Sequence, residues 1–411
     1  MFQHTDLNAR RAIKWLIKMA KVVLAFSGGL DTSFCTVYLK EERKLDVITA
    51  TIDTGGMSKE ELKYIESRSK EMGAIKHYFV DAKKEIFDEI ISYIIKANAL
   101  YQGVYPLMCS DRYTIGKHLI AIAKKEGAEA VAHGCTGAGN DQVRIDMTIN
   151  SLAPELKIIA PTRELGMRRQ QEIDFLEKRG AKVKTETKRY TINENIFGRT
   201  ISGSEIDENK APDEDAWVLS KVTSKKPESV KITFERGTPV KLNGKKMHGI
   251  EILEKLNQMA GAHGYGRGLY IEDETFGIKG YQAFEAPGML LLIEAHKVLE
   301  KLVLTHNQLS TKTMLENIYA NLSYRGMFFE PVMRDIEKFV DSTQELVTGE
   351  VTMRLQNGNA MQERVSSPHT LINESIARYA QSAGWKGSDA ESFIKIYGMQ
   401  QRIAWARKKK Q

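Results

Sequence analysis

From Lys21 onward, short runs rich in β-branched residues alternate with stretches of helical periodicity, and this alternation restricts the fold more than any other feature of the chain. Residues 22–26, 46–52, 76–80 and 130–133 read as buried strands, and 32–41, 58–72, 82–97 and 112–126 read as helices. Ser58 followed three residues later by Glu61 is a capping box at the start of one of them. Strand and helix in alternation predict an α/β domain with a parallel sheet covered on both faces. Ligands of such sheets lie beyond the carboxyl ends of the strands.

After about Gly180 the rhythm changes. The acidic stretch 207–215 and the segment 224–229 around Pro227 read as surface loops. Strand pairs at 230–235 with 239–242 and at 350–355 with 359–364 are separated by helices at 249–262, 287–305 and 313–322, which predicts an α+β second domain. Residues 388–410 place Phe393, Ile396, Ile403 and Trp405 on one helix face, suited to an oligomer contact. No internal repeat of fixed period is present.

Composition bounds the function classes. The chain has 411 residues, too many for one typical core of ~100–200 residues, which favours two domains. Apolar residues make up 42% and charged residues 27% with only 9 prolines, leaving little room for extensive disorder. The formal net charge of +7 suits anionic substrates; the lysines are interspersed with acids outside the tail Arg407 to Lys410, which argues against nucleic acid. Cys35, Cys109 and Cys135 are odd in number and far apart, so neither a disulfide framework nor a clustered zinc site is expected, and a cytoplasmic setting fits. No apolar stretch approaches the ~20 residues needed to span a bilayer, so no membrane partner is expected. The segment 1–20, with Arg10, Arg11, Lys14 and Lys18, lacks the uninterrupted apolar centre of a signal peptide. It reads as an upstream extension ahead of Met19, with a partner-binding helix as the alternative.

The first strand runs into Ala25-Phe26-Ser27-Gly28-Gly29-Leu30-Asp31-Thr32-Ser33. Gly28 and Gly29 allow a sharp turn with N–H groups pointing inward, and Ser27, Thr32 and Ser33 add hydroxyl donors at the positive end of a helix, a nest suited to pyrophosphate. Asp31 either caps that helix or orients a magnesium ion on the phosphates. The motif is neither G-x-x-x-x-G-K-[ST] nor G-x-G-x-x-G. The later cluster Gly264, Gly266, Gly268 has the wrong spacing and reads as a turn. Ser-Gly-Gly-x-Asp-Ser/Thr after a first strand resembles the loop of the N-type ATP pyrophosphatases, adenine nucleotide alpha hydrolase-like domains that cleave ATP between the α and β phosphates.

Further segments narrow the resemblance. His133-Gly134-Cys135-Thr136-Gly137-Ala138-Gly139-Asn140-Asp141-Gln142-Val143-Arg144, the stretches 151–163 and 190–199, and Gly277-Ile278-Lys279 leading to Glu285-Ala286-Pro287 occur in the order found in the argininosuccinate synthase family, which the chain resembles over nearly its whole length. Taken without that family, Thr136, Asn140, Asp141 and Arg144 lie on a glycine-punctuated loop after a strand, where short polar groups can surround an amino acid's carboxylate and ammonium; Asn and Asp beside glycine are also ordinary turn formers.

The resemblance implies an AMP-forming ligase that activates citrulline with ATP and Mg2+ and joins it to aspartate, as a homotetramer. It implies ATP at Ala25 to Ser33 with Ile52, Arg112 and Gly134. Citrulline is implied at Tyr105, Ser110, Asn140, Arg144, Thr191, Thr200, Glu272 and Phe284, and aspartate at Thr136, Asn140 and Asp141. His133 reads as a structural hydrogen-bonding residue rather than a general base. The expected organisation is an extension over 1–20, a nucleotide-binding domain over 21–183, a synthetase domain over 184–385 and a C-terminal oligomerisation helix over 386–411.

The chain departs from the family pattern at four places. Ala138 stands where lysine is common, Phe284 where a tyrosine hydroxyl faces citrulline, and Gly280-Tyr281 where Ser-Arg is familiar. One lost neutral hydrogen bond costs ~0.5–1.5 kcal/mol, which weakens binding without abolishing it. Two other readings follow: a paralogous adenylating ligase for another ureido or amide substrate, and a non-catalytic nucleotide-binding paralogue. The intact loop Ser27 to Ser33 speaks against the second.

Overall fold

The computed structural model describes residues 20–183, 189–379 and 381–408. The basic segment 1–19 and the last three residues of the basic tail lie outside the described residues. The chain divides into two compact units, one reaching to Ser367 and one from Pro368 onward.

The first unit opens with five parallel strands, β1 (Lys21–Ala25), β2 (Asp46–Asp53), β3 (Lys76–Asp81), β4 (Ala130–Ala132) and β5 (Lys157–Ile159), in the order β3-β2-β1-β4-β5. Val22 and Leu24 of β1 enter one hydrophobic cluster and Val23 the other, as alternate residues of a strand covered on both faces must. Helices α1 (Leu30–Glu41), α2 (Lys59–Glu71), α3 (Lys83–Ile86, a π turn Phe87–Ile91, then Ser92–Lys96), α4 (Asp111–Glu126), α5 (Asp141–Leu152), α6 (Pro161–Leu165) and α7 (Arg169–Glu177) follow the strands. The expected Ser58 and Glu61 capping box closes α2 with both reciprocal bonds. The chain leaves β1 toward β2 and β3 on one side and returns to β4 and β5 on the other, so a crevice opens at the carboxyl ends of β1 and β4.

The rest of the first unit carries two antiparallel sheets. One holds β6 (Thr191–Asn195), β7 (Gly198–Ser202), β11 (Arg267–Asp273) and β12 (Lys279–Glu285) in the order β11-β12-β7-β6. The other holds β8 (Glu228–Glu235), β9 (Thr238–Leu242), β10 (Lys245–Lys246), β13 (Gly349–Gln356) and β14 (Asn359–Ser366), with both expected hairpins present. Gly264 and Gly266 turn with positive φ as expected, but Gly268 lies inside β11. Helices α8 (Gly249–Ala262), α9 (Pro287–Val303), α10 (His306–Tyr324) and α11 (Pro331–Gln344) enclose the largest core. Gly249 is required at its position, because a Cβ there would lie 1.9 Å from the Phe87 ring.

Two helix boundaries differ from expectation. Helix α10 begins seven residues before the expected 313, because Thr305 and Gln308 form a capping box. In the second unit the helix expected over 388–410 is two, α12 (Gly387–Tyr397) and α13 (Met399–Lys408), interrupted at Gly398.

One ammonium is sealed inside the first unit. Lys312 is 1% exposed, with Nζ 2.7 Å from Glu316 and 3.2 Å from Glu300, whose carboxylate also accepts from Asn98 and Gln344. Removing one partner of a buried pair strands the other. Lys312→Met is therefore expected to destabilise the unit by about 3–5 kcal/mol, read as a lower urea midpoint; an unchanged midpoint would show that the pair contributes nothing.

Candidate functional site

A cleft of about 780 Å³ opens between the carboxyl ends of β1, β2 and β4 and the β6-β7-β12-β11 sheet. Of the residues expected at a site, Gly28, Ser33, Ser110 and Phe284 do not line it; all the others do.

At one end lies the loop after β1. Gly28 has φ +72°, a conformation costly for any residue with a Cβ, and a Cβ there would also press on Ile65 at 3.1 Å. The Gly29 N–H donates to the Ser27 hydroxyl at 3.4 Å, and that hydroxyl lies 3.4 Å from Thr32 Oγ1. Ser33 turns away, its hydroxyl accepting from Arg68 Nε at 3.3 Å. Gly29, not Asp31, occupies the cap position of α1, without a side-chain bond, which leaves the Asp31 carboxyl in the first turn, lining the cleft. Gly134 lets the β4 loop approach this turn, since its Cβ would meet Asp31 at 3.3 Å.

Behind the loop lies a residue that sequence reasoning missed. Glu172 of α7 is buried, accepts from Thr162 Oγ1 at 3.0 Å and faces Asp31. Burial, reinforced by the Asp31 charge, pushes its carboxyl up to about 8. The fold brings these positions together by packing α7 along α1, with Phe175 edge-on to Phe34 at 5.0 Å.

At the other end Asp141 begins α5 and binds two arginines. Its carboxylate lies 2.9 Å from Arg112 Nη2 and 2.9 Å from Arg144 Nη1. Burial works to raise the Asp141 carboxyl, but the two guanidinium groups outweigh it and hold it below the usual range. Arg144 Nε donates to the Tyr324 carbonyl at 2.9 Å, and its guanidinium stands 4.7 Å from the centre of the Tyr324 ring. Asn140 donates to the Tyr324 hydroxyl at 3.2 Å and accepts from the Thr275 N–H at 2.9 Å. That hydroxyl in turn donates to Glu272.

Thr136 is exposed on the glycine loop, and Tyr105, Thr191 and Thr200 reach the cleft from around it. Ser110 is buried against Ser323 at 3.0 Å, and Phe284 is packed edge-on to Tyr105 and Tyr270. The Tyr270 hydroxyl lies 3.1 Å from Gln282 and 3.3 Å from Glu272, so the hydroxyl missing at position 284 has a neighbour on the adjacent strand. Sequence reasoning also missed Arg169, Asn193, Asn195, Gln282 and Tyr324, all of which line the cleft. The two-residue spacing of Thr191, Asn193 and Asn195 is the one signal that could have found any of them.

His133 accepts from the Cys135 N–H at Nδ1, 3.2 Å, which leaves Nε2 to donate to Asp146 at 2.8 Å. Both nitrogens are engaged structurally, as expected. Burial pushes the thiols of Cys35 and Cys135 up to about 12 and that of Cys109 up to about 11, so none offers a thiolate near neutral pH.

A serine-glycine loop at the switch point of a parallel sheet, opening on a cleft with paired arginines and carboxylates, defines an ATP-using synthetase on a HUP-type nucleotide domain. The model described as "Arginosuccinate synthase N-terminal HUP domain" matches residues 21–182, and that described as "Arginosuccinate synthase C-terminal domain" matches 190–404. The chain is 41% identical to the argininosuccinate synthase of Methanocaldococcus jannaschii, covering 94% of this chain and 98% of the relative. It is 41% identical to that of Pyrococcus furiosus, covering 94% of each, and 43% identical to that of Xanthomonas campestris pv. campestris, covering 92% and 96%. The chain belongs to the argininosuccinate synthase family.

The Glu172 carboxyl gives this site a pH signature. Unfolded, it releases its proton near the ordinary 4.5; folded, it keeps it to about 8. Between those values the folded state binds more protons, so this group's contribution to stability falls as pH rises and levels off above about 8. Glu172→Gln is expected to gain melting temperature relative to the parent chain from pH 5 to pH 8 and to hold the gain above; a pH-independent difference would contradict this account.

Proposed function

We propose that this cleft carries out the ligation in place, with ATP on the loop Ala25 to Thr32 and beside Ile52, Arg112 and Gly134, citrulline among Tyr105, Asn140, Arg144, Thr191, Thr200 and Glu272, and aspartate at Thr136, Asn140 and Asp141. As a member of its family the chain is an ATP-dependent, AMP-forming carbon–nitrogen ligase that joins citrulline to aspartate in arginine biosynthesis. The observation that carries the assignment of residues is that one cleft contains both the Ser27–Gly29 turn and the Asn140–Asp141–Arg144 cluster.

The chemistry explains the choice of residues. The ureido oxygen of citrulline is a poor nucleophile, so orientation must supply much of the rate. That oxygen attacks the α phosphorus, the bond to the β phosphate breaks, and pyrophosphate leaves into the donors of the 27–32 loop. The aspartate amine then attacks the ureido carbon and AMP departs. No side chain needs to form a covalent bond, in keeping with three cysteines held as thiols.

A magnesium ion fits this site as a passenger on the phosphates. Asp31 lines the cleft beside the loop, and among the described residues no cluster of three or more His, Cys, Asp or Glu could hold an ion alone. Asp31 would hold it, and its chemistry would be to offset phosphate charge. A cytoplasmic homotetramer completes the reading. Among the described residues no helix is long and apolar enough to cross a membrane. Phe393, Ile394, Ile396 and Tyr397 expose 62–80% of their surfaces within the second unit, which supports a subunit contact there.

The test is isotopic. Labelled pyrophosphate is expected to exchange into ATP only when citrulline is present and without aspartate; formation of ADP and orthophosphate instead would overturn the reading. The aspartate step is best isolated at Thr136, because substituting Asp141 also frees Arg112 and Arg144. Thr136→Val is expected to leave exchange within about twofold and to cut product formation about tenfold, the upper end for one lost hydrogen bond. Equal loss of both steps would remove Thr136 from the aspartate site.

A further inference from the structure

Three arginines line the cleft, and they are not equivalent. Arg112 is bound to Asp111 and Asp141, with Nη1 2.7 Å from each oxygen of Asp111, and Arg144 is bound to Asp141. Their charge is already spent on carboxylates. Arg169 differs: it is exposed at the first position of α7, and among the described residues no carboxylate pairs with it. One helical turn on, Glu172 faces the first turn of α1, so Arg169 stands on the α7 face turned toward the 27–32 loop. The Arg169 charge acts against the rise in the Glu172 carboxyl, but among the described residues no ion pair joins the two.

Among the described residues no other unpaired arginine or lysine lines the cleft. The donors of the 27–32 loop are N–H groups and hydroxyls, and the facing loop 134–139 (Gly134, Cys135, Thr136, Gly137, Ala138, Gly139) contains no basic side chain. Pyrophosphate leaving ATP gains negative charge at the moment the bond breaks, and a cation aimed at it adds to what N–H groups and hydroxyls supply. Asp31, in the same end of the cleft, adds to the negative charge.

We propose that Arg169 is the cation that receives the pyrophosphate leaving ATP, so that α7, although it follows the strands of the sheet, completes the phosphate site. This rests on the assignment of ATP to the 27–32 loop. A guanidinium on a flexible stem at a helix start can follow the departing group and release it, whereas Arg112 and Arg144 are fixed by their carboxylates.

Titration calorimetry with magnesium pyrophosphate on the full chain and its Arg169→Gln and Arg169→Lys variants tests this. Arg169→Gln is expected to weaken pyrophosphate binding at least tenfold, to raise the KM for ATP and to leave the KM for citrulline and aspartate unchanged. Arg169→Lys, which keeps the charge, is expected to recover binding to within about threefold of the parent chain. Unchanged affinity in Arg169→Gln, or equal loss in both variants with citrulline KM rising alongside, would overturn the assignment. Exchange of labelled pyrophosphate in the parent chain separates the two readings. If the parent chain binds pyrophosphate through Arg169 but exchanges none into ATP, the ligase assignment of the cleft falls and Arg169 stands as an anion site.

Discussion

The Asp141 carboxylate between Arg112 and Arg144 is the constraint on which the rest of the site depends. A carboxylate at the first position of α5 is favoured by the helix dipole, and two guanidinium groups offset the cost of burying it. The consequence reaches well beyond one helix. Arg112 comes from α4, and Arg144 continues to the Tyr324 carbonyl at the end of α10. Asn140, next in sequence, grips both Tyr324 and the backbone of the β11–β12 turn at Thr275. A loop on the parallel sheet is thereby tied to the β11-β12-β7-β6 sheet, and the cleft between them has a defined width. Two of the roughly four lone-pair positions of Asp141 are occupied by arginine, leaving positions for an incoming ammonium.

Both ends of the cleft carry charge of both signs. Asp31 and Arg169 line it together with the 27–32 loop, and Glu272 and Glu274 line it together with Asn140 and Arg144, while Glu194 lies against the turn at Gly56. Burial, reinforced by Glu272, pushes the Glu274 carboxyl above its usual range, and burial does the same at Glu194 against the opposing pull of Arg199.

Much of this was legible in the sequence, for reasons that also explain the rest. Buried parallel strands leave continuous β-branched runs, and a positive-φ turn demands glycine, so the sheet and the Ser27–Gly29 loop were readable from local signals alone. Helix boundaries were less so: α10 was shortened by overlooking the Thr305 and Gln308 pair, and the break at Gly398 leaves an apolar face on both sides that mimics one helix. The residues that the fold imports from a distance carry no local signature. Arg169 reads as one more surface charge until α7 packs on α1, and Tyr324, two residues beyond the helix expected over 313–322, carries no local signal until its ring meets Arg144. The Lys312 network likewise assembles residues from α9, α10, α11 and the turn at Asn98, which no window of sequence contains.

The substitution of phenylalanine at position 284 illustrates how such imports change a conclusion. Read alone, Phe284 removes a hydroxyl from the citrulline end and weakens it. In the antiparallel register Gly268 stands opposite Phe284, and Tyr270 opposite Gln282. A Cβ at position 268 would lie 2.8 Å from the Phe284 ring, so the glycine and the phenylalanine form one packed unit. Two residues along β11, on the same face, Tyr270 stacks on Tyr105 at 5.5 Å and brings its hydroxyl to Glu272 and Gln282. With a single hydrogen, that hydroxyl can donate to only one of its two neighbours at a time. The Tyr324 hydroxyl donates to the same carboxylate, so Glu272 keeps a fixed position whichever way Tyr270 points. A hydroxyl thus stands one strand across from position 284, and Gly268, Tyr270 and Phe284 pack as one unit.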